Sequence, residues 1–405
     1  MTSLAGTKWR ALAIVGIAEL FAMTLWFSGS AVAPELTTAW NLTGTEAAWL
    51  TNAVQLGFVV GALASAVLTI ADVVRPRDLF AASAFVGAGA TALIAVAVDT
   101  ALPAILLRFV TGVALAGVYP TGMKMMAAWF DRGRGLAIGV LVGALTVGSA
   151  APHLLRAVGG IGQPRLVLFG AAGIAALGGV LVLLYEEGPS QPDPAAFDPG
   201  AIGRIARDRG VLLANLGYFG HMFELYAVWT WIPVYLVASL EVSGVANPEP
   251  LAALLAFGTI AVGGVGAWLA GSAADRWGRS LVTSASMVVS GAACLIAGVA
   301  FGAPVVVLAP FVLVWGFAIV ADSAQFSAAV SELASGSYVG TALTLQTAVG
   351  FLITIGSIQL VPLLRDAVGW QWAFAPLVVG PLVGTVAMLG LRRRPEAARL
   401  AGGRG

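Results

Sequence analysis

The sequence has little charge, one cysteine and two histidines. Only 10% of its 405 residues are charged and 59% are hydrophobic, whereas a soluble globular chain carries about 25% charged residues. The net charge of +1 provides no basic field for nucleic acid. Cys294 has no second cysteine for an intrachain disulfide, and so few cysteines and histidines offer no metal site. We therefore expect a membrane protein without a metal, a cofactor or a nucleic-acid partner.

Long apolar runs are what the sequence has in quantity. An α-helix of about 20 apolar residues crosses the ~30 Å hydrocarbon core of a bilayer. Twelve such runs cover residues 9–33, 46–69, 78–98, 101–124, 133–156, 164–185, 211–238, 250–271, 280–301, 304–329, 339–363 and 370–391. The sequence therefore predicts an all-α integral membrane protein with twelve transmembrane helices, which we number as segments 1 to 12.

The second half of the chain repeats the first. Glu19–Trp26 in segment 1 reads ELFAMTLW, and Glu224–Trp231 in segment 7 reads ELYAVWTW. Between the halves, residues 186–210 carry four prolines, which prevent a continuous helix. We therefore predict two pseudo-symmetric six-helix bundles, residues 1–185 and 211–405, joined by a cytoplasmic linker at residues 186–210.

The basic residues are distributed unevenly between the two sides of the predicted membrane. With both termini in the cytoplasm, 17 of the 21 Lys and Arg residues face that side, in agreement with the positive-inside rule. The sequence therefore predicts a multi-pass protein of the cytoplasmic (inner) membrane, with cytoplasmic termini and a short basic tail. We expect a monomer.

The loop after segment 8 carries a family motif. Gly271–Arg279 reads GSAADRWGR and resembles the G-x-x-x-D-R-x-G-R loop of the major facilitator superfamily. The corresponding loop after segment 2 keeps Asp72 and two basic residues but lacks the glycines. This resemblance covers the whole chain and implies that fold. It also implies gating at these two loops, with Asp72 in the first. We interpret Asp275, Arg276 and Arg279 in the second as a switchable salt-bridge latch between helix ends, or as simple positive-inside anchoring.

Shorter stretches narrow the resemblance. Leu25–Ser28 in segment 1 and the pair Tyr119-Pro120 in segment 4 are similar to the cyanate- and nitrate-type branch of prokaryotic porters. Nitrate porters place an arginine in each of segments 2 and 8, and this chain has none there. The resemblance thus implies a prokaryotic porter and disfavours nitrate itself as the solute.

Two glutamates inside apolar segments are the first candidates for function. Glu19 and Glu224 lie ~15 Å and ~20 Å from the starts of their segments. An ionisable group in hydrocarbon costs roughly 2.5 to 3.5 kcal/mol on insertion scales. Each could exchange protons or hold a cationic or hydrogen-bonding solute, or it could bind neighbouring helices of its own half. If one alone matters, we expect it to be Glu224.

Three other ionisable residues lie in these segments. His221 is three residues before Glu224, so the two can touch, as a proton relay or as a packing pair. Arg108 needs a partner, either a carboxylate of Glu19, Glu224, Asp322 or a substrate, or else the outer interface. Asp322 could face the cavity or belong to a cytoplasmic gate.

Neutral polar and aromatic side chains complete the expected cavity lining. They are Trp26, Asn52, Gln55, Tyr119, Trp231, Tyr235, Gln325, Gln346 and Thr347. In membrane helices such groups form interhelical hydrogen bonds at least as often as they bind solutes. Gly135, Gly139 and Gly143, spaced by four, predict close packing of segment 5 against a neighbour.

No motif for nucleotide binding and no soluble domain is present in the sequence. We therefore expect a secondary active transporter, not an enzyme, that moves a small solute by alternating access and is coupled to protons. A proton-driven antiporter that exports drugs or metabolites, and a non-transporting membrane sensor, remain as alternatives.

Overall fold

Apolar helices long enough to cross a membrane make up most of the chain. The computed structural model describes residues 2–130, 134–189, 200, 202–205, 207–334 and 338–405. Eleven helical spans in this part have the length and composition of transmembrane helices, and α1 (Thr2–Met23) precedes them. The predicted all-helical membrane fold is confirmed, and the observed helices are consistent with twelve segments.

The chain divides into two compact units, Met1–Pro194 and Ala195–Gly405. Most of the predicted linker, residues 190–199, 201 and 206, lies outside the described residues. The helices of the first unit are α1 (Thr2–Met23), α2 (Ser28–Ala31), α3 (Ala33–Trp40), α4 (Gly44–Val67), α5 (Ile70–Val73), α6 (Pro76–Ala97), α7 (Ala101–Leu115), α8 (Tyr119–Ala127), α9 (Arg134–Leu155) and α10 (Pro164–Val182).

The second unit continues this numbering. Its helices are α11 (Ile202–Ile205), α12 (Arg209–Val242), α13 (Pro248–Trp277), α14 (Arg279–Ala300), α15 (Val305–Ala321), α16 (Ser323–Leu333), α17 (Val339–Val368), α18 (Trp370–Ala373) and α19 (Val379–Arg392). A short 3₁₀ segment, Pro395–Gly402, follows α19.

Local side chains mark where two of the spans begin. Before α4, the Thr43 hydroxyl accepts from the Glu46 amide and the Glu46 carboxylate accepts from the Thr43 amide, a reciprocal capping box. Before α12, the Asp208 carboxylate accepts from the amides of Gly210 and Val211. Each cap satisfies amides that the first helical turn leaves without a partner.

The two units pack their helices in the same pairs. In the first unit, α1 packs on α9 and α10, and α4 packs on α7. In the second, α12 packs on α17 and α19, and α13 packs on α15. The repeat seen in the sequence is therefore also a repeat of packing.

Glycines bring the second and fourth segments of each unit into backbone contact. A Cβ atom at Gly112 in α7 would collide with the carbonyl oxygen of Val54 in α4. A Cβ at Gly316 in α15 would likewise collide with the carbonyl of Thr259 in α13. In lipid no hydrophobic effect drives helices together, and small residues let the two backbones approach closely enough for van der Waals packing to do so.

The glycine stripe predicted in segment 5 does not make the expected close contact. A Cβ at Gly139 or Gly143 meets no described heavy atom within 4 Å, and the side-chain surroundings of residue 135 lie outside the described part. The close approach occurs at Gly148 instead, where a Cβ would collide with the carbonyl of Leu20. The four-residue spacing correctly describes one helix face, but it does not say which face meets α1.

Three spans are interrupted near their middles. Segment 1 breaks at 24–27, segment 4 at 116–118, and segment 10 at Asp322. The breaks in segments 4 and 10 are related by the sequence repeat, whereas α12 runs unbroken where segment 1 is broken. Interrupted transmembrane helices often form solute or ion sites in transporters, because their free backbone groups face a cavity.

Replacing Gly112 by alanine should destabilise the first unit. The added methyl meets a backbone carbonyl that cannot move aside, and overpacking of this kind costs typically about 1–3 kcal/mol. Thermal unfolding of the purified protein measures the effect. Gly89→Ala is the matched control, since a Cβ there meets nothing within 4 Å, and equal melting temperatures for the two variants would contradict the packing.

Candidate functional site

Arg108 is buried within the first unit and binds oxygen atoms of two neighbouring segments. Its Nε donates to the carbonyl of Leu50 at 3.0 Å. One terminal nitrogen donates to the Leu25 carbonyl at 2.8 Å and to the Ser28 hydroxyl at 3.0 Å. The other donates to the carbonyl of Trp26. No carboxylate is among the partners of Arg108 in the described part of the chain.

The break in segment 1 explains these contacts. Where the helix stops at Met23, carbonyl groups lose the amide donors of a continuous helix, and in hydrocarbon water does not replace them. Gly29 leaves the guanidinium room to reach them, because a Cβ there would lie 2.9 Å from Arg108 Nε. The predicted pairing of Arg108 with a carboxylate is therefore not found among the described residues, since backbone carbonyls and the Ser28 hydroxyl occupy its donors.

Glu19 is fully buried in α1, and neither of its carboxyl oxygens has a hydrogen-bond partner among the described residues. The side chain packs against α8, just past the break in segment 4. A Cβ at Gly122 would lie 2.8 Å from Glu19 Oε2. The carboxyl group is thus held against a glycine of the interrupted helix and remains available for a proton or a ligand.

Glu224 occupies the corresponding position of the repeat but has different surroundings. Its Oε2 accepts from the Ser290 hydroxyl at 2.9 Å. Its Oε1 accepts from the Trp315 indole at 3.1 Å and lies 3.1 Å from the Cys294 thiol. Three donors from α14 and α15 therefore surround this carboxylate, and it connects three helices of the second unit. Sequence reasoning missed Ser290 and Cys294, whose only signal was the spacing of four on one face of segment 9.

His221 pairs with Asp322, so the relay predicted between His221 and Glu224 is wrong. The His221 Nδ1 atom lies 2.8 Å from Asp322 Oδ1, at an angle outside that of a directed hydrogen bond. On its other side, His221 Nε2 lies 2.7 Å from the Ser323 hydroxyl. Both partners of His221, Asp322 and Ser323, lie at the break in segment 10. The three-residue spacing within α12 allows His221 and Glu224 to touch but does not require it.

The predicted latch at the loop after segment 8 contains an acid that the sequence did not reveal. Arg279 donates to both oxygens of Glu332 at 2.9 and 2.6 Å, a bidentate pair. Its remaining nitrogen donates to Gln325 at 2.7 Å, so Gln325 belongs to this cluster and not to a cavity lining. Asp275 is exposed and lies 4.0 Å from Arg279, and Arg276 is exposed as well.

The C-terminal segment joins the same cluster. The Ala401 amide donates to Glu332 Oε2 at 3.0 Å, and Arg399 donates to the Leu333 carbonyl at 2.7 Å. Arg404 donates to the backbone carbonyl of Asp275. Residues at the end of the chain therefore contribute directly to the polar cluster around Arg279 and Glu332.

The other predicted lining residues are mostly engaged within their own unit. Trp231 donates to the Ile358 carbonyl at 2.8 Å. Gln346 lies between Asn215 and Ser327, at 3.0 and 3.1 Å. Thr347 hydrogen-bonds Tyr218. These contacts make each of the three an interhelical tie in this conformation.

Tyr235 is not at an open surface. Its hydroxyl donates to the Ala297 carbonyl at 2.7 Å, and its ring packs among Phe301, Trp370 and Phe374. The predicted cavity role of Tyr235 is therefore not supported. The Trp231 indole and the Tyr235 hydroxyl of segment 7 both donate to backbone carbonyls of the second unit, so they tie helices of that unit together.

In the first unit, Trp26 packs on Phe58 with ring centroids 5.1 Å apart. Asn52 and Gln55 are fully buried, and both amide atoms of Gln55 lack a hydrogen-bond partner within the described residues. Tyr119 is half-buried in the first turn of α8. The side chain of residue 72, predicted for the gate, lies outside the described part.

Comparison with known proteins agrees with this architecture. The family model described as Major Facilitator Superfamily matches residues 15–357, more than half of the chain. A point mutant of the nucleoside transporter NupG has a TM-score of 0.73 at 14% identity, and the match covers 94% of this chain and 99% of that one.

A second solved structure is a bacterial homologue of the human lysosomal transporter Spinster, in an inward-facing and occupied conformation. Its TM-score is 0.74 at 14% identity, over 96% of this chain and 97% of that one. At this identity the structural matches show the fold. No curated protein matches the sequence.

Removing the guanidinium of Arg108 should destabilise the first unit. In Arg108→Gln the carbonyls of Leu25 and Trp26 lose donors, and each buried unsatisfied group costs about 1–3 kcal/mol. We expect a lower melting temperature than for Arg165→Gln, which removes an exposed arginine of the same unit. If the two variants melt together, the role of Arg108 in the break of segment 1 is refuted.

The Glu332 cluster predicts a local effect at the C-terminal segment. In Glu332→Gln the bidentate pair with Arg279 is lost and the acceptor for the Ala401 amide is weakened. Hydrogen exchange should therefore become faster in Pro395–Gly402 than in the wild type. Asp275→Asn is the control, because this side chain is 72% exposed, and acceleration of the same size in it would argue against a specific cluster.

Proposed function

Because this chain belongs to the Major Facilitator Superfamily, we propose that it is a secondary active transporter that couples the movement of a small polar solute to protons. The family and the multi-pass helical structure support membrane transport of a solute rather than catalysis. Proton coupling, the solute class and a placement with both termini in the cytoplasm are the proposal. The distribution of basic residues supports that orientation.

The observation that carries the proposal is the unpartnered carboxyl group of Glu19. It is 0% exposed and has no hydrogen bond to the described residues. An ionised carboxylate without a partner in a medium of low dielectric constant is so unfavourable that the group takes up a proton instead. Glu19 is therefore neutral in this conformation and can release its proton when the site opens to water.

Glu224 has the opposite character, which supports a division of roles between the two glutamates. Its oxygens are surrounded by Ser290, Cys294 and Trp315. Hydrogen bonds from three donors fix its position and connect α12 to α14 and α15. We assign Glu224 to the stability of the second unit and Glu19 to the proton, the reverse of the sequence-based preference.

Gln55 supports a solute that forms hydrogen bonds. Its amide offers two donor hydrogens and an acceptor oxygen, and neither end is satisfied among the described residues. Buried polar groups of this kind are normally paired, so a bound solute is a suitable partner. Nucleosides enter the list of candidates because one structural neighbour is a nucleoside transporter.

The decisive experiment measures proton movement with each solute class. The full chain is reconstituted in vesicles that contain a pH-sensitive dye, and nucleosides, organic acids and amines are added in turn. Protons entering with the solute indicate symport, and protons moving against it indicate antiport. Solute flux that moves no protons with any member of the panel would overturn the coupling.

Substitutions separate the two glutamates in this assay. Glu19→Gln keeps the shape of a neutral carboxyl but cannot release a proton, so solute flux should become insensitive to pH while the melting temperature stays within a few degrees of the wild type. Glu224→Gln should melt lower, since the amide nitrogen cannot accept from its donors, yet keep a coupled flux. Normal coupling in Glu19→Gln would refute the assignment.

A further inference from the structure

An apolar groove runs along the outside of the second unit, between α12 and α19. It has a volume of about 540 Å³. Leu213 and Leu216 of α12 form one wall, and Leu382, Val386 and Gly390 of α19 form the other. The residues of α19 recur at intervals of four, so they share one helix face.

A basic side chain closes one end of this groove. Arg394, two residues past α19, is the one charged residue among those that line it. Arg392, Arg393 and Arg394 are exposed, and none of them forms an ion pair with a described residue. A long apolar surface therefore ends at a positive charge that has no acidic partner in the described part of the chain.

The start of α12 adds further charge at the same end. Arg209 is exposed there and also forms no ion pair within the described residues. Two acids are close: Asp208 caps α12, and the side chain of Glu396 lies 3.3 Å from a Cβ built at Gly210. Together with Arg392, Arg393 and Arg394, Arg209 makes four arginines at this end of the groove against the two acids. The excess of positive charge attracts anions.

The dimensions fit one leaflet of a bilayer. From Leu382 to Arg394 the chain covers twelve positions, which in a helix is ~18 Å. Half of a hydrocarbon core is ~15 Å. An acyl chain that follows the groove would thus place its headgroup at the level of Arg394.

We propose that the groove between α12 and α19 is a binding site for an anionic phospholipid, with an acyl chain against Leu213, Leu216 and Gly390 and the phosphate at Arg394. Basic pockets between transmembrane helices are known to hold anionic headgroups. The charge at the groove end selects this occupant over a zwitterionic lipid. Gly390 has no side chain, and the nearest atom to a Cβ built there is Leu213 Cδ2 at 4.0 Å. This leaves space in the groove for the acyl chain of the lipid.

The test uses native mass spectrometry of the full-length protein in detergent, with phosphatidylglycerol and phosphatidylcholine of the same acyl chains. We expect phosphatidylglycerol to bind at one tight site and phosphatidylcholine to bind more weakly. Arg394→Gln should weaken the phosphatidylglycerol affinity about fivefold, the effect of one basic residue at a membrane surface. Arg393→Gln removes the same charge next to the groove but outside its lining, and should weaken the affinity less than Arg394→Gln does.

Two further arms distinguish the lipid from other occupants. Gly390→Leu fills the groove without changing charge, and it should abolish the tight site while Arg394→Gln only weakens it. Inorganic phosphate should not compete with phosphatidylglycerol. Equal binding of both lipids, equal effects of the Arg393 and Arg394 substitutions, or competition by phosphate alone would overturn the proposal. Melting temperatures near that of the wild type confirm that each variant is folded.

Discussion

The structure depends on one requirement of hydrocarbon as a solvent, which is that each polar group must find its partner within the protein. Arg108 shows how demanding this requirement is. A break in segment 1 exposes carbonyl groups, and the guanidinium binds those of Leu25 and Trp26 from the neighbouring α7. A cation that would be unfavourable alone and a broken helix that would be unfavourable alone thus stabilise each other.

The same requirement separates the two halves of the repeat. In the second unit, several buried polar side chains form pairs and clusters, such as Glu224 with its three donors and Gln346 between Asn215 and Ser327. In the first unit, Glu19 and Gln55 lack partners among the described residues. Equivalent positions in the duplicated chain therefore have different surroundings, since the carboxyl group of Glu224 is hydrogen-bonded and that of Glu19 has no such bond among the described residues.

The sequence predicted the fold well and the site only in part, for a physical reason. Hydrophobic length marks a membrane helix without knowledge of its neighbours, so the segments were found to within a few residues. Contacts between helices depend on how each helix is rotated. Glu332 therefore gave no signal, and Ser290 and Cys294 gave only their spacing of four. His221 contacts Asp322 on another segment instead of Glu224 on its own helix. The breaks in segments 1 and 4 were also missed, because residues 25–27 and 116–118 are as apolar as the rest of those spans.

The uninterrupted length of α12 makes the protein sensitive to the thickness of its membrane. Its 34 residues extend ~51 Å at 1.5 Å per residue, which exceeds the ~40–45 Å of a whole bilayer including headgroups. Such a helix must tilt or emerge into water, and each ångström of mismatch costs a fraction of a kcal/mol. Segment 1 can bend at its break to fit, whereas α12 is one continuous helix whose internal proline, Pro233, permits at most a local kink. The thickness of the bilayer therefore favours some tilt angles of α12 over others.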